Sequence, residues 1–278
     1  MFGSASESPF MSTQQNSTQR IFITGASSGL GAALARHYAR QGASLGLVGR
    51  RGEALLELVD GLPNRARHCI YTLDVTDHAA LSKAAHDFMQ HAGGIDIVIA
   101  SAGISRGTLT EYSEDIEVFD RILATNVTAT VATFSPFLET MKQQAVAGDR
   151  GCRLVGIASV AGIRGLPGAS AYSASKAAVI SYCESLRVEL KKEGIKVVTI
   201  APGYIDTPMT QVNDYAMPFL MPSEDFAQQA ADTIAAGGSY RVIPWQMGVV
   251  AKILRLLPNC AYDFLFRNAP RKKRSLPL

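Results

Sequence analysis

Three side chains able to bind and move one proton stand in sequence order in this 278-residue chain: Ser159, Tyr172 and Lys176. Tyr172 and Lys176 are four apart, which on a helix stacks one above the other on a single face. An opposite charge within ~4–6 Å depresses a pKa by ~1–3 units, so the lysine lowers the cost of a tyrosinate. Tyr172 can then exchange a proton with an alcohol or carbonyl oxygen near neutral pH, while the Ser159 hydroxyl bonds the same oxygen. Ser159 follows an apolar run ending at Ala158. That places it at the carboxyl end of a strand, where open α/β sheets bind ligands. Tyr-x-x-x-Lys alone is a cheap pattern, but here it is the only match among nine tyrosines and begins 13 residues after a strand-end serine.

A second constellation opens the ordered chain. The apolar run Arg20–Thr24 leads straight into Gly25-Ala26-Ser27-Ser28-Gly29-Leu30-Gly31. A strand, a glycine-rich turn and a helix start form an anion site, because free backbone N–H groups and the positive helix end point at a pyrophosphate. Gly25 makes the turn, Gly29 admits the phosphates and Gly31 lets the helix pack on the sheet. An acid about 20 residues past the glycines usually accepts bonds from the adenosine ribose hydroxyls. Here the second strand ends Val48-Gly49-Arg50-Arg51, and the first acid is Glu53. Gly49 leaves room for a 2′-phosphate and Arg50, with Arg51 beside it, offers it a planar guanidinium. The expected cofactor is therefore NADP(H).

These residues need a frame. From residue 20 short apolar runs alternate with segments of helical length. The runs are Arg20–Thr24, Ser44–Val48, Cys69–Leu73, Ile95–Ala100, Arg153–Ala158, Lys196–Ala201 and Tyr240–Ile243. Most are uniformly apolar, as strands buried on both faces must be. Helical segments are expected over Leu30–Gln41, Asp77–His91, a long region around Asp115–Ala147, Ala171–Glu193 and Ser223–Ala236. Such alternation predicts right-handed βαβ units and a single α/β domain. Its core is a doubly wound, mainly parallel sheet of about seven strands with helices on both faces. Residues 1–19 read as a disordered tail, 20–244 as the dinucleotide-binding catalytic domain and 245–278 as an apolar helical extension ending in a basic tail.

Composition narrows the function. Apolar residues make up 47% and charged residues 18%, enough for a large core. The net charge of +3 is concentrated at the end of the chain. There Lys252, Arg255, Arg267, Arg271, Lys272, Lys273 and Arg274 face one acid, Asp263, leaving the rest negative. A nucleic-acid-binding body is disfavoured, because its cations would cover a face of the fold. Four scattered cysteines and five histidines show no metal or disulfide spacing, so no metal is expected and a reducing, cytoplasmic setting is the simple expectation. The chain shows no run of ~18 uncharged apolar residues that would span a membrane.

Taken together, Thr24–Gly31, Asp74-Val75, Ala102-Gly103, Asn126, Ser159, Tyr172-Ser173-Ala174-Ser175-Lys176 and Pro202-Gly203 with Thr207 resemble the classical short-chain dehydrogenase/reductase family over Arg20–Ile243. The resemblance implies a Rossmann-type domain that binds a nicotinamide dinucleotide, with Tyr172 as general acid/base. It implies that Lys176 tunes the tyrosine and holds the nicotinamide ribose, that Ser159 positions substrate and that Asn126 supports a water link to the lysine. Cofactor contacts are implied at Thr24, Gly25, Ser27, Ser28, Gly29, Leu30, Gly31, Arg50, Arg51, Asp74, Val75, Ala102, Gly103, Tyr172, Lys176, Pro202, Gly203 and Thr207. Members are commonly homodimers or homotetramers. One departure is Ala100-Ser101-Ala102-Gly103, where the family usually has Asn-Asn-Ala-Gly. A different local stabilisation of that turn is expected.

Around the reacting carbon, Ile104, Leu166, Pro167, Tyr204, Pro218 and Phe219 favour a neutral, hydrophobic ketone, aldehyde or secondary alcohol. Arg106 and Arg164 would contradict this only if they turned into the cleft. The alternative to an oxidoreductase is a catalytically silent dinucleotide-binding scaffold, which has no physical need for the whole Ser159/Tyr172/Lys176 set. The extension beyond Ile243 is expected to cover its own substrate cleft, a subunit partner or an anionic membrane surface.

Overall fold

The computed structural model describes residues 18–148, 151–269 and 271–274. The tail expected at residues 1–19 lies almost entirely outside them. The elements run in the order β1 (Arg20–Thr24), α1 (Gly29–Arg40), β2 (Ser44–Gly49), α2 (Gly52–Asp60), β3 (His68–Thr72), α3 (His78–Ala92) and β4 (Ile97–Ala100). There follow α4 (Asp115–Leu123), α5 (Ala129–Phe134), α6 (Leu138–Val146), β5 (Arg153–Ile157), α7 (Ser170–Glu189) and β6 (Lys196–Pro202). The chain finishes with α8 (Pro208–Gln211), α9 (Ser223–Ala236), β7 (Tyr240–Ile243), α10 (Trp245–Leu256) and α11 (Asn259–Phe266).

All seven strands pair in parallel, in the order β3-β2-β1-β4-β5-β6-β7. This is the expected Rossmann-type sheet in one domain. β1 shows why its residues are uniformly apolar. Ile21 and Ile23 point into a core shared with α1 and α9, whereas Phe22 points into the opposite core against Phe88 and Phe137. Its register partner is Gly46, where a Cβ would lie 2.6 Å from the Phe22 ring and 2.8 Å from Phe88. The glycine is a space requirement of the aromatic cluster. Because the chain moves outward from β1 to β3 and then returns to the other side of β1, connections diverge between β1 and β4. That switch point opens a crevice beyond the carboxyl ends of the strands.

Three expectations need correction. Helix α2 was not foreseen, since it is short and only Leu55 and Val59 are buried. The long helical region at 115–147 is broken twice. A wide turn over Ala124–Thr128 interrupts it, and a tight turn over Ser135–Phe137 follows, where Pro136 has no N–H to donate. β4 begins two residues later than expected, because Asp96 is drawn sideways to the Arg20 guanidinium at 2.7 Å.

Candidate active site

The crevice is a cleft of about 290 Å³ built on the carboxyl ends of the central strands. Its floor is set by close backbone approach. Gly25 has φ +71°, and a Cβ there would lie 2.7 Å from Ala102 Cα, so the β1 and β4 loops touch without side chains between them. A Cβ on Gly31 would strike the Gly25 carbonyl, which seats the first turn of α1 directly on the glycine loop. Ser28, at the start of α1, makes no side-chain cap, and the first turn carries no acid. The helix therefore keeps its N-terminal backbone donors and its positive dipole end for an anion. This is a cradle into which a pyrophosphate fits and a side chain does not.

One end of the cleft is lined by Arg50, Arg51, Asp74 and Val75, with Leu73 and Gly49 between them. Arg51 donates to the Ser27 carbonyl and hydroxyl oxygens at 3.3 Å, and Arg50 Nη1 stands 3.8 Å from Asp74 Oδ2. Both arginines thus line the cleft. Asp74 also accepts from the Thr76 backbone and hydroxyl at 3.0 and 2.8 Å. Partial burial pushes its carboxyl up, but these bonds and the Arg50 guanidinium outweigh it and hold the pKa below the ordinary value.

At the other end, Ser159, Tyr172 and Lys176 line one wall. Ser159 stands in extended backbone just past β5, its Oγ accepting from Ala161 N at 3.2 Å. Tyr172 is in the first turn of α7 and Lys176 one turn later. Lys176 is 5% exposed and donates to the Ile157 carbonyl at 2.8 Å. Burial pushes its ammonium pKa down to about 8. The Tyr172 phenol is pushed up by burial, with its hydrogen bond to Ser159 pulling it back. The depression of the phenol expected from the lysine is not what this geometry produces, because loss of water outweighs an ammonium aimed at a backbone carbonyl.

Asn126 does not line the cleft. It sits in the wide turn between α4 and α5, fully buried, with Oδ1 accepting from Ile104 N at 2.8 Å. Its Nδ2 donates to Ile104 O at 3.0 Å and to Ser175 Oγ at 2.9 Å. Ser175 in turn donates to the Tyr172 carbonyl. Asn126 thereby fastens the loop after β4 to the helix carrying Tyr172 and Lys176. This clamp, with Ala102 N donating to Thr24 Oγ1 at 3.4 Å, is the stabilisation that replaces the missing asparagines of the Ala100–Gly103 turn. Thr24 acts from behind the wall rather than in it.

The remaining expected contacts, Ser27, Ser28, Gly29, Leu30, Ala102, Gly103, Pro202, Gly203 and Thr207, do line the cleft. Sequence reasoning missed Ser101, Thr125, Ile157, Ala158 and Ile205, along with Pro208 to Thr210. Most follow from one signal that was available, their place just past the ends of β4, β5 and β6. Thr210 had a second signal, the Thr207-x-x-Thr210 spacing of a capping box, which forms at the start of α8. Of the hydrophobic residues expected near substrate, only Ile104 lines the cleft. Arg106 and Arg164 turn away from it. Arg106 donates to the Arg274 carbonyl, and Arg164 donates to the Leu254 and Leu257 carbonyls with its guanidinium 3.9 Å from the Tyr262 ring centroid. Among the described residues no His, Cys, Asp and Glu are grouped to hold a metal ion.

The glycine cradle, the Ser159/Tyr172/Lys176 wall and the all-parallel sheet have counterparts among known proteins. Residues 19–217 match the family model for short chain dehydrogenases. An uncharacterized oxidoreductase of Myxococcus xanthus is 38% identical over 252 residues, 89% of this chain and 96% of that one. The dehydrogenase/reductase SDR family member 7B of Bos taurus is 34% identical over 273 residues, covering 91% and 82% of the two chains. Among solved structures, the 3-ketoacyl-(acyl-carrier-protein) reductase of Brucella melitensis complexed with NADH superposes with a TM-score of 0.75 at 25% identity, over 81% of this chain and 96% of that one. On its sequence, its strand order and its cleft, the chain belongs to the classical short-chain dehydrogenase/reductase family.

Proposed function

We propose that this oxidoreductase uses NADP(H) to interconvert a neutral, hydrophobic ketone or aldehyde and the corresponding alcohol, with Tyr172 as general acid/base. The observation that carries the proposal is the convergence of Ser159, Tyr172 and Lys176 on one wall of a cleft whose far mouth holds Arg50 and Arg51. The glycine loop and the α1 N-terminus would hold the pyrophosphate, Asp74 and Val75 the adenine, and Lys176 the nicotinamide ribose. A bound nicotinamide dinucleotide supplies or accepts the hydride. In the reducing direction the Ser159 hydroxyl bonds the carbonyl oxygen and Tyr172 gives that oxygen its phenolic proton. The Lys176 ammonium, 5.8 Å from the ring centroid, would offset only part of the cost that burial puts on the tyrosinate left behind. In the oxidising direction the same groups act in reverse.

Two further observations favour this substrate class and cofactor. Arg106 and Arg164 are turned onto the C-terminal segment, through the Arg274 carbonyl and through the Leu254 and Leu257 carbonyls, and neither lines the cleft. No acid stands on the β2 end to repel a 2′-phosphate. The test is oxidation of NADPH against a panel of carbonyl compounds, followed by loss of reduced-nicotinamide absorbance. Tyr172→Phe should lower kcat by about 10²–10⁴-fold, while dinucleotide binding changes little. Equal rates for the two proteins would overturn the mechanism, and a wild type that binds dinucleotide but reduces nothing would favour a scaffold.

A further inference from the structure

The chain beyond β7 folds as two helices, and six of its large apolar side chains are exposed. α10 packs by Met247 and Ala251, with Met247 against Gly203 in the cleft wall. On the opposite side Trp245, Val249, Ile253 and Leu256 recur at helical spacing, and all four are exposed, Trp245 by 63% and Leu256 by 83%. α11, after the turn at Pro258, adds exposed Phe264 and Leu265, with the Arg267 guanidinium 4.6 Å from the Phe264 ring centroid. A surface helix of a soluble domain normally shows polar residues on that side. Here the only charges on α10 are Lys252 and Arg255, both exposed, and residues 233–262 contain no Asp or Glu.

We propose that the outward face of α10, continued by α11, docks on an anionic lipid surface. The apolar stripe would enter the headgroup boundary, with Trp245 at its edge, while Lys252, Arg255 and Arg267 meet the lipid phosphates. Charge decides between this occupant and a second copy of the chain. A two-fold contact sets the same patch against itself, so Lys252, Arg255 and Arg267 of each copy would meet the same three cations with one exposed acid per copy, Asp263, to pair them, and the contact would keep a clear excess of positive charge. The extension's role toward its own cleft is taken by other groups. Tyr262 donates to the Gly165 carbonyl at 2.6 Å, and Lys272 donates to Ser105 Oγ at 2.9 Å. Docking leaves those contacts in place, and it does not depend on which reaction the cleft performs.

Trp245 is the only tryptophan, so its fluorescence reports this face alone. The full chain should float with vesicles containing phosphatidylglycerol and much less with phosphatidylcholine alone. Trp245 emission should shift to the blue and be quenched by brominated acyl chains. The double variant Ile253→Glu, Leu256→Glu should lose at least tenfold in vesicle affinity while keeping the wild-type melting temperature and dinucleotide binding. Failure of the wild type to float with anionic vesicles overturns the proposal. So does flotation that the double variant retains, which would assign it to the basic tail, and so does a dimer in light scattering that the double variant dissolves without any vesicle binding by wild type.

Discussion

The Lys176 ammonium lies 5.8 Å from the centroid of the Tyr172 ring and is turned to a backbone carbonyl rather than to the phenol. One helical turn sets their separation, and the end of β5 sets the direction of the lysine. A desolvated ammonium with a carbonyl acceptor and no carboxylate beside it gives up its proton more easily, hence a pKa of about 8.

That displacement carries a stability signature. Between pH 8 and the ordinary lysine value of 10.5 the unfolded chain holds a proton at residue 176 that the native protein has released. Stability rises with pH wherever the unfolded state binds more protons. This residue therefore costs the fold most below pH 8, and the cost falls as pH rises through the window. Lys176→Met should be more stable than wild type at pH 7, and the difference should shrink from pH 8 to 10. Urea titrations of both proteins across that range check it, and a constant difference would contradict it.

Arg50 stands at the mouth of the cleft beside Asp74, about half exposed, so its worth toward a phosphate is that of a partly solvated charge-assisted bond. Such a bond is worth ~1.5–3 kcal/mol, or about ten- to a hundredfold in affinity. Arg50→Ala should raise KM for NADPH by about that factor and leave NADH use nearly unchanged. A wild type that uses NADH as readily as NADPH would remove Arg50 and Arg51 from the phosphate site.

Asn126 satisfies both backbone groups of Ile104 from a buried position. Asn126→Ala strands them, at about 1–3 kcal/mol for each buried group left unpaired. The midpoint of urea unfolding should fall while its slope stays the same. Turnover should drop with it, because the loop after β4 is then no longer fastened to α7. The end of the cleft built on β2 and β3, where we propose the adenosine binds, should bind free ADP-ribose phosphate as before.

The last described residues form a strap across the loops that follow β4 and β6. Arg274 bonds Asp115 at 2.8 Å and Glu114 at 2.9 Å, its guanidinium lies 3.6 Å from the Tyr112 ring centroid, and Lys273 pairs with Asp214 at 3.0 Å. The Arg274 hydrogen bond and the Leu109 N–H hold the Asp115 carboxyl below its ordinary pKa. A depressed carboxylate contributes its hold above its ordinary pKa and loses it as pH falls. At neutral pH the strap is closed. Asp115→Asn should speed trypsin cleavage after residues 271–274 several-fold without slowing dinucleotide binding. Unchanged cleavage would show that the ion pairs do not hold the strap.

The parallel sheet, the glycine cradle and the Tyr172–Lys176 wall could be read from the chain because each is written in local spacing. Uniformly apolar runs require burial on both faces, glycines mark where backbones touch, and four residues make one helical turn. What local spacing cannot carry is the partner of a side chain that reaches across the fold. Asn126 is expected to support a water link to Lys176, but the sequence does not show that it also fastens the loop after β4 to α7, because its partners Ile104 and Ser175 lie 22 and 49 residues away. Arg106 and Arg164 could have faced substrate, yet carbonyls of a segment 90 or more residues later took their donors. Helix α2 escaped notice because two buried side chains make no visible period, and it forms where β2 and β3 leave a surface for them. A guanidinium or amide bonds whichever acceptor the tertiary structure brings within about 3 Å, and only the folded chain decides which acceptor that is.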